Sequence, residues 1–113
     1  VGKLIYGPQA IEFDIEDRTL THLQLVILAK LRRNESFSFT WVPDRDTGLG
    51  RATMWIHPTQ YLLFQFAGSR HPAVNRQWID ELMTTANSVG GLRLVPEPSG
   101  PGGPAYQIDS TGD

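Results

Sequence analysis

RATMWIHPTQYLLFQFA, residues 51–67, alternates apolar and polar side chains on both sides of the turn His57-Pro58-Thr59-Gln60. Ala52, Met54 and Ile56 share one parity before the turn, and Leu62, Phe64 and Phe66 share one after it. That period of two belongs to strands with one buried face. Upstream, SFSFTW at residues 36–41 repeats the pattern with Phe37, Phe39 and Trp41. Connections this short suit an antiparallel meander better than parallel crossovers.

Working outward, Lys3–Tyr6 and Ala10–Ile15 read as strands around the turn Gly7-Pro8. Asp17 reads as the N-cap of a helix reaching about Arg33, with Leu20, Leu23, Val26, Ile27, Leu28 and Leu31 facing inward. His22, Gln24 and Lys30 fall toward its wetter edge, and Asn34 suits the stop. A second helix runs from about Pro72 or Asn75 to Ser88, buries Val74, Trp78, Ile79, Leu82, Met83 and Ala86, and ends at Gly90-Gly91. Leu92–Val95 completes the order β-β-α-β-β-β-α-β. The expected fold is α+β, a mostly antiparallel sheet with two helices packed on one face.

The chain has 113 residues and 12.6 kDa, which suits one domain with a core of its own. Four Pro and four Gly crowd residues 96–113. The reading is therefore a single domain over 1–95 and a Pro/Gly-rich acidic tail, disordered and partly extended, over 96–113. That tail holds Glu97, Asp109 and Asp113 and no cation, so the formal charge of −2 is a −3 tail on a +1 body. A strongly basic nucleic-acid binder is excluded; a local basic patch is not. There are no cysteines, which removes disulfides and thiolate chemistry. The longest mostly apolar run, Leu23–Leu31, is far short of the ~20 residues that cross a bilayer. With no export-signal pattern in VGKLIYG, the expected location is the cytoplasm.

Strand parity also says which face is free to work. With the apolar set turned to the helices, the opposite face carries Ser38, Thr40, Arg51, Thr53, Trp55, His57, Tyr61, Leu63 and Gln65. Trp55, Tyr61 and Leu63 together would form an apolar patch of the kind that marks an interface, with Arg51, Thr53 and His57 around it. Exposed aromatics on a sheet can also stack single-stranded bases, though these do not follow the RNP pattern. A second feature is basic: Lys30, Arg32 and Arg33 at one helix end, with Arg76 as a possible fourth, could contact phosphates. The same residues complement a helix dipole in any protein.

Signals for chemistry are weak. His22, His57 and His71 show no HxH or HxxxH spacing, so no metal site is expected, and His57 reads as a turn-forming hydrogen bonder. Glu16 and Asp17 are explained by the helix start, and no serine sits in a GxSxG elbow. The segment Asp44–Arg51 lacks both the P-loop lysine and the EF-hand ladder.

IEDRTLTHLQLVILAKLRRNESFSFTW, GRATMWIHP and NRQWIDELMTTANSVGGLRLVPEP together resemble a family of small actinobacterial proteins of unknown function. Members are often labelled ATP-dependent DNA ligase. That activity needs a lysine in KxDG, whereas Lys3 begins KLIY, Lys30 begins KLRR, and no other lysine exists. The resemblance thus implies no catalytic residue here. The expectation is a non-catalytic interaction module without a cofactor. It would self-associate or bind a protein partner through Arg51, Thr53, Trp55, His57, Tyr61 and Leu63, with no role at a membrane. The alternative is a nucleic-acid-binding accessory using Lys30, Arg32, Arg33 and Arg76.

Overall fold

The computed structural model describes residues 1–42 and 50–99. The loop 43–49, with Asp44 and Asp46, and the tail from residue 100 lie outside the described residues. The elements are β1 (Gly2–Tyr6), β2 (Ile11–Ile15), α1 (Asp17–Arg32), β3 (Phe37–Trp41), β4 (Ala52–Ile56), β5 (Leu62–Gln65), α2 (Arg76–Ala86) and β6 (Leu92–Arg93). The order and the α+β class are those expected.

The sheet is not single. Six strands form two three-stranded sheets, ordered β2-β1-β5 and β4-β3-β6. The break falls between β4 and β5, at the same turn that the sequence reads as a hairpin. His57 supplies the reason. Its ring Nδ1 accepts from the Thr59 amide at 3.2 Å and lies 2.8 Å from the Thr59 hydroxyl, while its own amide donates to the Tyr6 hydroxyl at 3.0 Å. The turn is thereby tied to β1, and β5 continues onto β1, with Leu4 opposite Phe64 and Ile5 opposite Leu63. The other surprise is β6, which pairs parallel to β3, Phe39 with Leu92 and Thr40 with Arg93.

One core joins both sheets. Leu4, Ile15, Leu20, Leu23, Ile27, Phe39, Trp41, Ile56, Leu82 and Leu92 belong to a single buried cluster. Trp41 of β3 stacks on Phe39 and meets Phe13 of β2 edge-on, both at 4.8 Å between ring centres. Gly2 is required where β1 passes α1: a Cβ there would stand 2.7 Å from Asp17 Oδ1 and 2.8 Å from the Gln65 carbonyl.

The two helices run parallel, because like ends meet. Arg18 donates to the Ala73 carbonyl, and the Asn75 amide donates to His22 Nε2, both at 2.8 Å at the N-terminal ends. Lys30 donates to Asn87 Oδ1 at 2.8 Å at the C-terminal ends. The expected wet edge of α1 is thus a helix interface. His22 is 0% exposed and Lys30 7%, because α2 covers that side. Asp17 is not the N-cap either. The cap is Glu16, without a side-chain bond, and the Asp17 carboxylate instead accepts the Ala67 and Gly68 amides, both at 2.9 Å. Asn75 does cap α2, accepting from Gln77 and Trp78.

Packing extends past the expected boundary at 95. Glu97 Oε1 accepts from Arg18 Nε at 2.9 Å, and its Oε2 accepts from Arg18 Nη2 at 2.6 Å and from Asn75 Nδ2 at 2.8 Å. Two helix N-termini converge here, where a carboxylate is favoured. Trp78 Nε1 also donates to the Val95 carbonyl at 2.9 Å.

Candidate binding face

Strand pairing sorts the expected face residues into two groups. On the second sheet, Ser38 lies opposite Trp55, Thr40 opposite Thr53, and Thr40 also opposite Arg93. Their neighbours Phe39, Ile56 and Leu92 are fully buried, so these residues point outward. Arg51 and His57 bracket β4 on the same parity, and both are exposed. The Thr40 and Thr53 hydroxyls bond each other at 2.8 Å. Trp55 stands 61% exposed, whereas Trp41 and Trp78 are 5% and 4% exposed.

Tyr61 and Leu63 belong elsewhere. They lie before and within β5, on the outer side of the first sheet with Lys3, Ile5, Glu12, Asp14 and Gln65. There Lys3 holds Asp14 at 2.9 Å and Glu12 at 3.4 Å. These contacts raise the Lys3 pKa and, with the hydrogen bond from Lys3 foremost, lower that of Asp14. The continuous Trp55-Tyr61-Leu63 patch expected from one sheet is therefore divided by the break.

Charge divides with it. The first sheet's outer face carries Lys3 against Glu12 and Asp14. The second sheet's outer face, among the described residues, carries Arg51 and Arg93 and no carboxylate. Arg93 was absent from the expected face. The alternation of buried Leu92 with Arg93 was readable, but its place beside Thr40 depends on a parallel pairing that spacing does not reveal.

The basic cluster also changes. The Lys30 side chain is 9% exposed and bonds Glu35 Oε1 at 2.8 Å as well as Asn87. Arg33 reaches the same Glu35 oxygen at 3.4 Å, and the hydrogen bond from Lys30, foremost, keeps the Glu35 pKa low. Only Arg32 and Arg33 of that helix end are exposed. Arg76 opens α2 at the opposite end from Asn87, roughly 16 Å away for an 11-residue helix. It does not join them. Lys30 is a structural cation that ties two helix C-termini together.

Beside Trp55 lies a shallow hollow of about 360 Å³, walled by Lys30, Glu35, Ser36, Ser38, Asn87 and Ser88. Its floor turns on Gly91, whose φ is +78° and whose Cβ position would overlap Ser38. The arrangement sets a flat apolar indole beside Arg51, Arg93 and a row of hydroxyls, with the paired Lys30 and Glu35 at the edge of the hollow. Among the described residues no group of three or more His, Asp or Glu could hold a metal. No described helix is long and apolar enough to cross a membrane.

A family model described as "Domain of unknown function (DUF7882)" matches residues 1–97, and the chain belongs to this family. The match runs through Glu97 and so takes in the Arg18 contact. No curated protein and no solved structure matches.

Proposed function

We propose that this member of a family without an assigned activity is a non-catalytic binding module that holds an anionic partner on the outer face of β4-β3-β6. One observation carries the reading: Arg51 and Arg93 share that face with an exposed Trp55, its strands carry no described carboxylate, and Glu35 at its edge is already paired with Lys30 and Arg33. Trp and Arg are the side chains most enriched at binding hot spots. Self-association through this face is the weaker option, since a two-fold interface would bring two faces of the same positive charge together.

Retention on immobilised heparin at low salt tests the reading, with charge-matched variants on the two sheets. Arg93→Glu should elute at clearly lower salt than the parent, and Lys3→Glu should elute close to it. Equal shifts from both variants would mean that net charge alone governs retention, and the proposed face would be wrong.

A further inference from the structure

We infer that the anionic partner is a single-stranded nucleic acid, with a base stacked on Trp55 and its phosphates drawn to Arg51 and Arg93. The inference rests on the binding face proposed above and names its occupant. An acidic polypeptide would be held by the two arginines alone, and nothing in it requires a bare indole. A nucleobase does use that indole: stacking is sequence-tolerant because every base has a π-face. The hollow beside Trp55 offers a base edge the Ser36 hydroxyl, the Asn87 amide group and the oxygen lone pairs of Ser38 and Ser88, whose own protons go to the Gly90 and Thr85 carbonyls. Its one lining carboxylate, Glu35, is paired with Lys30 and Arg33. Ser38, Thr40 and Thr53 continue this hydroxyl lining across the sheet.

Shape points the same way. Three strands at about 4.8 Å spacing give a face only about 10 Å across. Its 5-residue central strand is roughly 17 Å long. That is room for two or three nucleotides laid across a sheet, the scale at which sheet-based modules stack bases. Two arginines also set the salt response. Counterion release of about 0.7 per single-strand phosphate predicts a log–log slope near −1.4.

Fluorescence anisotropy with dye-labelled oligo-dT and oligo-U of about 12 nucleotides tests this, with an equivalent duplex and polyglutamate as competitors. Both single strands should bind and outcompete duplex. Trp55→Ala should weaken binding roughly 5- to 150-fold, the range of one lost stacked base, while Trp55→Phe retains most of it. Arg93→Glu should weaken binding and flatten the salt slope by about 0.7, and Lys3→Glu should change neither. Polyglutamate binding that depends on Arg93, with no oligonucleotide binding, would overturn the nucleic-acid inference and leave the anionic face standing. So would single strands and duplex binding alike with no effect of Trp55→Ala. If neither polymer binds, both readings fall.

Discussion

Glu97 concentrates the tightest polar chemistry of the molecule in one carboxylate. It pairs with both forks of Arg18, and the two side chains are 13% and 17% exposed. It also bonds Asn75, which is 1% exposed. The hydrogen bond from Arg18, foremost, lowers its pKa. Nearby, His22 donates from Nδ1 to the Arg18 carbonyl at 2.7 Å and accepts the Asn75 amide at Nε2, while its ring lies 4.5 Å from that of Trp78. That pattern fits only the neutral imidazole, and burial lowers its pKa against the opposing influence of its bond to the Arg18 carbonyl and, less, of Glu97. Both groups bind protons more weakly folded than unfolded, so both contribute stability that is lost on acidification. The loss should begin below about pH 6.5 for His22 and deepen below about 4.5 as Glu97 protonates, from their ordinary values. Thermal melts from pH 8 to 3 should show this for the parent. Glu97→Gln should lose about 2 kcal/mol at neutral pH, less than for a fully buried pair, and flatten the deeper step. Equal acid profiles for the two proteins would refute this role. Sequence reading put Glu97 in the tail because Pro96 and Pro98 flank it, and proline content says nothing about a partner 79 residues away.

The type and order of the elements are legible in the sequence, and the pairings they make with distant neighbours are not. β3, β4, β5 and both helices follow from alternation and amphipathicity, and the inward parity of Phe39, Ile56 and Leu82 was correct. β6, expected over Leu92–Val95, is present as Leu92–Arg93; what spacing does not reveal is its parallel pairing with β3, far off in sequence. Lys30 was misjudged for a related reason. A cation in the last turn of a helix is ordinarily exposed, and only the parallel α2 buries it. The proposed face inherits these limits: parity puts Trp55 and Arg51 on the outward side of β4, Arg93 joins them only through the parallel pairing, and Tyr61 and Leu63 lie on the other sheet. The α2-to-β6 connection is the most constrained of these links. Gly91→Ala would force an alanine to φ near +78° and into Ser38. It should destabilise the domain by about 2 kcal/mol or more. A urea midpoint unchanged from the parent would show that the turn relaxes freely.

At the scale of the whole molecule, two separately hydrogen-bonded sheets share one apolar interior. Leu20 and Leu23 of α1, Leu4 and Ile15 of the first sheet, and Phe39, Trp41 and Ile56 of the second belong to one cluster. Among the described residues both sheets pack on this one cluster, so the domain should unfold in a single transition. Trp41→Ala removes the ring that meets Phe13 and should cost about 3–5 kcal/mol. Far-UV circular dichroism and tryptophan fluorescence should still melt together in that variant; two separated transitions would mean the sheets are independent. Glu97 also gives the fold a timetable. Chains are made from the N-terminus at roughly 5–20 residues per second, and Arg18 precedes Glu97 by 79 residues, which is about 4–16 s of translation. Throughout that interval the Glu97 half of this pair has not yet been made, and the N-terminal ends of the helices gain its carboxylate only when the segment around residue 97 emerges.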